Sequence, residues 1–575
     1  MLPPRQLLLN IGRCRHDNLP SQRIQPLGRR ARLVGDAKRR RFLASRAAKL
    51  ARQRRKRATH KVWRHLTRDQ QEVAKRLSAG QVSLVTISGW GFLGNFLAFL
   101  DELKFYVLLD IEGTGFKRMM IPVARLIMTY QLKILLGISS INLVPTKLFR
   151  EIALLKMIGY TTTQMQVGFC ERGNLLAGPM HKNTLADAVE RLSGEELEYL
   201  LNETAKRLAE RGFFRKSDGH FALDATDLET TPKCCGAGLK KYTEWKVTKD
   251  KQAVQVERFA YGFKVLIVYE VHLRLVVAAK VLPIQKHESQ FTLPLVRQAI
   301  QNVGPGVLRV LLIDRGFLDG QDLWVLKQGM GIDFVVPAKE NMGITADAQG
   351  LSGQEADETT IFKQERVGKE KVVKKGKKEQ VIWEGQVSVV GVAELRSYDQ
   401  YGDEEHVKHA NSKGFVGNVL NAVVVTKWQG TAYEVGKQKV FLTSLPVDSP
   451  IDVLDLYDQR SLIENTAFRE LKQGWFLKKY PKKTAAAITG HVLLTLVTFT
   501  LANAFRTKLG QELARHGVRR QRAEEVSGVV IIFAGEHYAI FDIEEVFILL
   551  GVVPEHCLRA DPAKVRRRYG LPSAA

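Results

Sequence analysis

Apolar positions recur at helical spacing in Phe149-Arg150-Glu151-Ile152-Ala153-Leu154-Leu155 and again in Glu195-Glu196-Leu197-Glu198-Tyr199-Leu200-Leu201. Ser193 and Glu196 have the spacing of a capping box, which places a helix start there. Residues 69–215 therefore read as a helical N-terminal domain. At Phe221 the period changes. Phe221-Ala222-Leu223-Asp224-Ala225-Thr226 is a short apolar run, and Glu257 to Glu270 and Leu273 to Leu282 follow as strands around a turn at Val271-His272. A helix near Phe291–Val303, a strand Val307–Ile313 ending at Asp314, a helix around Gln321–Gln328 and a strand Asp333–Pro337 complete a β-β-β-α-β-α-β order. That order predicts an α/β layered domain with mixed strands.

The pattern switches again from about Lys339. A lysine-rich stretch from Gly368 to Lys378 precedes alternating runs at Val381–Val392, Asn418–Trp428 and Thr431–Leu442, which read as an antiparallel β insertion. Helical spacing returns from Val453 through Trp475 and in the apolar segment that ends at Arg506. Gly528–Phe533 and His537–Phe541 form a short hairpin before a final helix. The resulting division is 1–68, 69–215, 216–338, 339–445, 446–510 and 511–575.

Charge is unevenly placed along the 575 residues. Residues 1–68 carry 21 Lys or Arg against only Asp17 and Asp36, so they supply +19 of the net +27. Such an arm is a ligand for polyanions, because each phosphate it neutralises releases condensed counterions. A solvated tail, an Arg-rich leader and an upstream misassigned start are the competing readings. Ala485 to Phe505 is long and apolar enough to span hydrocarbon, but its Thr, His491 and Asn503 content and the lack of a second span favour a buried core helix. The five cysteines form no CxxC pair and no zinc spacing, which favours a reducing compartment and no structural zinc.

Three acids stand where chemistry is expected. Asp224 and Asp314 close apolar strand runs, at a sheet edge where a cation and a phosphate can meet them. Glu464 lies on the segment Tyr457-Asp458-Gln459-Arg460-Ser461-Leu462-Ile463-Glu464, and in a continuous helix Tyr457, Arg460 and Glu464 would share one face. Asp227 and Glu229 are nearby rivals to Asp224, and Arg460 with Glu464 at i, i+4 could be a plain surface ion pair. In His287-Glu288-Ser289, the serine is read as an N-cap rather than a site residue.

With these pieces the chain resembles the DDE transposases of the IS4 group. The resemblance rests on Leu223-Asp224-Ala225-Thr226, Ile313-Asp314-Arg315-Gly316-Phe317 and Tyr457-x2-Arg460-x3-Glu464 running into Phe468-Arg469-Glu470-Leu471-Lys472, and it covers most of residues 85–505. It implies an RNase H-like core of mixed sheet and helices, split into 216–338 and 446–510 by the β-rich insertion 339–445, which accommodates the 150 positions between Asp314 and Glu464. It also implies that Asp224, Asp314 and Glu464 bind two Mg²⁺ ions, with Mn²⁺ as an alternative, and that Tyr457, Arg460, Lys472 and Arg315 contact DNA phosphate. The activity implied is metal-dependent cleavage at the ends of an insertion sequence and transfer of the freed 3′ hydroxyl into target DNA. The partners implied are double-stranded inverted-repeat DNA, bound by the helical domain 69–215 and the basic arm 1–68, target DNA, and a second copy of the chain on paired ends, in the cytoplasm at the nucleoid and without a membrane. Two other classes remain open: an inactive, transposase-derived DNA-binding protein, and a nuclease of the same fold. One departure stands out. The family's lysine falls seven positions after the glutamate, which here is Leu471; Lys472 lies at i+8 and needs an extra residue absorbed in a π-bulge, or a long stem swinging back.

Overall fold

The computed structural model describes residues 65–572 apart from 89–90, 112–115, 117–120, 170–177, 248–252, 358, 368, 376–377, 385–386, 430–431, 516–528 and 553–559. The basic arm lies almost wholly outside the described residues.

The core sheet starts with β1 (His220–Thr230), in which Phe221, Ala222 and Leu223 are fully buried. β2 (Ala253–Glu270) pairs antiparallel with β1 through Phe221↔Glu270 to Thr230↔Tyr261, and β3 (Leu275–Pro283) pairs antiparallel with β2. β4 (Val310–Ile313) runs parallel to β1, and β5 (Asp333–Pro337) runs parallel to β4. The order β3-β2-β1-β4-β5, with only β2 reversed, is the topology of an RNase H-like core. Between β1 and β2, a further strand, Gly238–Val247, pairs with the distal half of β2, so the meander expected from the sequence carries an additional hairpin.

The insertion is not a separate sheet. β6 (Ile361–Arg366), β7 (Val387–Leu395), β8 (Leu420–Gln429) and β9 (Ala432–Thr443) form an antiparallel set in which β9 pairs with β5 through Leu442↔Val336. The core sheet and the insertion are thus one ten-stranded sheet. The lysine-rich stretch forms its own ribbon, Lys369–Lys375 against Lys378–Glu384.

Helices α1 (Gly194–Glu210), α2 (Thr292–Val303), α3 (Gly320–Trp324), α4 (Pro450–Asp458) and α5 (Ala485–Arg515) flank this sheet. The capping box at Ser193 and Glu196 starts α1. Apolar α5 packs on α1 and β3, and its Ala485–Gly510 stretch, the one described segment long and apolar enough to cross a membrane, is mostly buried inside the fold. Its threonines bond along the helix, with Thr495 Oγ1 donating to His491 O and Thr498 Oγ1 to Leu494 O, which satisfies polar groups that burial would otherwise penalise.

The N-terminal part is helical, as the periodicity predicts, but not only helical. Strand Leu84–Ser88 pairs antiparallel with Val529–Ala534, which pairs in turn with His537–Phe541, so the C-terminal hairpin completes an N-terminal sheet. Val73, Leu77, Ile532, Phe541 and Val565 share a small core there, separate from the main one. The cysteine reading needs one correction: Cys235 is disulfide-bonded, and only Cys234 is a free thiol among the described residues.

Candidate active site

Backbone register brings the two aspartates together. The parallel ladder between β1 and β4 runs from His220↔Val310 to Leu223↔Ile313, so Asp224 and Asp314 are the next positions on adjacent strands. The strand does not end at Asp224, as the sequence run suggests. β1 continues to Thr230 because β2 keeps pairing with it, and only the ladder with β4 stops. Asp314 leaves β4 and opens a tight turn, Arg315–Phe317, its carboxylate facing Gly316 N–H at 3.5 Å.

The third acid arrives differently from the single helix the spacing predicts. α4 starts with Pro450 in its first turn and ends at Asp458; Gln459 and Arg460 form a turn, and a π-helical turn, Ile463–Phe468, follows and contains Glu464. Even so, Arg460 gathers all three acids. Its Nη1 lies 2.9 Å from Asp224 Oδ2 and 3.7 Å from Asp314 Oδ1, and its Nη2 lies 3.1 Å from Glu464 Oε1. The guanidinium sits 5.5 Å from the Tyr457 ring centre, within cation–π range, and Tyr457 is itself wedged against Phe441 of β9 at 4.5 Å between ring centres.

The electrostatics follow from this crowding. The Asp224 carboxyl is raised to about 7, chiefly by burial; the Arg460 guanidinium and the Ala225 N–H oppose the rise, and Asp314 and Glu464 add to it. Tyr457 is held well above the ordinary phenol range, chiefly by burial. Three hard carboxylate oxygen donors around one monovalent cation leave about two unbalanced negative charges, a donor set suited to a divalent metal and lacking the His or Cys that softer ions prefer. Arg460 Nε is buried without a partner, so this side chain keeps an unused donor.

The remaining sequence candidates divide. Lys472 ends half-buried on the segment that follows the π-helical turn, where burial lowers its ammonium pKa and Asp227 and Asp224 act to raise it. Leu471, the family's lysine position, is fully buried. Arg315 is exposed and takes no part in the carboxylate cluster. Of the rivals, Asp227 accepts from Tyr242 Oη at 2.5 Å and pairs with Lys240, and Glu229 pairs with Arg258.

Sequence reasoning missed the wall behind the Asp314 turn. Buried Lys264 of β2 is ion-paired to Glu288, whose carboxylate abuts Gly316 so closely that a Cβ there would lie 2.6 Å from Oε1. Ser289 is not the N-cap expected of it: a 3-10 turn, Ser289–Phe291, precedes α2. The signal was the glycine of Asp314-Arg315-Gly316, which marks a close approach.

Residues 215–501 match the family model of the transposase DDE domain. That stretch is a DDE transposase domain. The matched range begins just before β1 and ends inside α5, so it takes in the RNase H-like core, the insertion and the three carboxylates alike. Among solved structures, a piggyBac transposase synaptic complex with hairpin DNA, seen by cryo-EM, is similar at 11% identity and a TM-score of 0.34, covering 86% of this chain and 89% of that one. No curated protein matches the chain.

Proposed function

We propose that this chain is an insertion-sequence transposase that cuts DNA at the ends of its element and joins the freed 3′ hydroxyls to target DNA, with Asp224, Asp314 and Glu464 as its catalytic carboxylates. The observation that carries this reading is the convergence of those three acids, from a mid-strand position, a strand end and a π-helical turn, on the single Arg460 guanidinium.

DDE enzymes use divalent metal, and Mg²⁺, as a pair, is the cation assigned to these residues. Held by Asp224, Asp314 and Glu464, it would supply Lewis-acid stabilisation of the attacking and leaving oxygens. The side chains do the rest. Arg460 exchanges carboxylates for phosphate oxygens, which it can grip with two nitrogens. Tyr457 holds the guanidinium plane from one side, and its raised pKa keeps the phenol protonated as a donor. Lys472 adds positive charge beside Asp224. Glu288 and Lys264 fix the Asp314 turn from behind. The same carboxylates serve both hydrolysis and transesterification, since each is an in-line displacement at phosphorus. The basic arm 1–68 adds phosphate contacts, and two copies act on paired ends; the IS4-type motif order supports this placement within the DDE transposases.

The test is a product assay on duplexes carrying the element's own ends, with Mg²⁺ and a supercoiled target. Joined 3′ ends support the transposase reading; nicks without joining make the chain a nuclease, and binding without either makes it an inactive relic.

A further inference from the structure

At the N-terminal end of β1, four residues before Asp224, lies a second cluster of metal-ligating groups. Asp218, His220 and His272 each offer one ligand atom, and these atoms lie within 4.8 Å of one another. Asp218 and His220 lead into β1, and His272 sits in the turn between β2 and β3. Asp218 Oδ2 and His272 Nε2 are 3.2 Å apart. That matches the spacing of two ligands on one tetrahedral ion, since ligands about 2.1 Å from zinc lie about 3.4 Å from each other.

The cluster is held by its surroundings rather than left to loop chance. Fully buried Glu270 accepts from Ser217 Oγ at 2.6 Å and from Leu273 N–H, so one carboxylate ties the segment bearing Asp218 to the turn bearing His272. Val271 N–H donates to His220 O across the same gap. Gly219, between the two β1-side ligands, has φ +75°, and a Cβ there would come within 2.9 Å of Val307 O; the turn that presents Asp218 beside His220 therefore requires glycine. His220 Nδ1 is 3.2 Å from Gln459 Oε1, an acceptor that fixes the Nδ1–H tautomer and leaves Nε2 as a ligand. An outer hydrogen bond of this kind accompanies metal-bound imidazoles and orients them.

We propose that Asp218, His220 and His272 form a binding site for one first-row transition-metal ion of the zinc type, separate from the carboxylate site. Two imidazoles and one carboxylate make the donor set softer than the all-oxygen cluster at Arg460, so the two sites sort different ions. Asp218 and His272 are solvent-exposed, and water completes the coordination. Because Gln459 immediately precedes Arg460, the ion also anchors the turn from which Arg460 reaches the carboxylates.

The experiment is a Co²⁺ titration of the full chain with excess Mg²⁺ present to fill the carboxylate site, read by visible d–d absorption and reversed with Zn²⁺. The expected result is a saturable one-equivalent band typical of low coordination number, displaced by Zn²⁺. It should be lost in Asp218→Ala and in His272→Ala, kept in Asp314→Asn, and weakened at least about tenfold in affinity in Gln459→Ala. Both ligand substitutions are at exposed positions, and unchanged far-UV circular dichroism confirms that those variants fold. No band in the parent, a band that survives His272→Ala, or a band lost in Asp314→Asn would each overturn the proposal.

Discussion

Arg460 Nη1 stands 2.9 Å from Asp224 Oδ2 across 236 residues of sequence, and the same guanidinium reaches Asp314 and Glu464. One cation therefore holds three anions from three elements. Removing it leaves a largely buried carboxylate without a counter-charge, a loss of about 3 kcal/mol or more for a pair of this kind. Arg460→Ala should show that deficit in urea denaturation with chelator present, and Mg²⁺ should shrink it by occupying the carboxylates. A deficit of the same size with and without Mg²⁺ contradicts the account.

The Asp224 carboxyl sets a pH dependence of defined sign. Its folded pKa of about 7 exceeds the ordinary 3.8, so between these values the folded chain keeps a proton that the unfolded chain has released. This group's contribution to stability is fully present below about pH 4 and is lost as pH rises through about 7, amounting to on the order of 4 kcal/mol in the absence of divalent cation. Melting curves in chelator from pH 5 to 8 should fall more steeply for the parent than for Asp224→Asn; parallel curves would show that Asp224 is not raised.

Much of this site is legible in the sequence, and the parts that are not have physical reasons. Asp224 and Asp314 stand out because buried parallel strands read as apolar runs, and an acid within or after such a run has to serve something. The exact end of β1 is invisible, because β2 prolongs the strand past Asp224 through pairing that only the fold provides. Tyr457, Arg460 and Glu464 read as one helical stripe, yet a turn at Gln459 and Arg460 interrupts it, and the cluster survives because the π-helical turn repositions Glu464. The continuity of the insertion with the core sheet rests on β9 meeting β5 more than a hundred residues later, a long-range pairing with no local signature. The same is true of Leu84–Ser88 and its C-terminal partner strand.

The π-helical turn precedes a segment in which Leu471 is fully buried and Lys472 is half-buried near Asp224, so Lys472 is the lysine proposed for the site. Leu471 is fully buried, so Leu471→Lys, which places the lysine at the family's spacing, should cost about 3 kcal/mol or more by burying an unpaired ammonium. Lys472→Ala should leave stability within about 0.5 kcal/mol and slow DNA cleavage about tenfold or more, with Lys472→Arg recovering part of the rate. Denaturation and single-turnover cleavage measure the two effects separately. A stable, fully active Leu471→Lys would mean that the turn does not set the register.

The C-terminal hairpin makes a different kind of claim. Its strand Val529–Ala534 lies between Leu84–Ser88 and His537–Phe541, with Ile531, Ile532 and Phe533 fully buried. A chain ending at residue 515 should expose the N-terminal core, and hydrogen exchange over residues 70–88 should rise toward unprotected rates while β1 and β4 keep their protection. Unchanged protection at 70–88 would show that the N-terminal sheet stands without its partner.

The most direct test of the central claim compares the parent with Asp224→Asn, Asp314→Asn and Glu464→Gln in Mg²⁺-dependent cleavage of DNA carrying the element's ends. Each variant should bind the DNA as tightly as the parent and lose at least about a thousandfold in cleavage rate, because each removes one anion from the carboxylate cluster that would hold the metal pair. A variant that binds and cuts like the parent would show that its carboxylate is not part of that site.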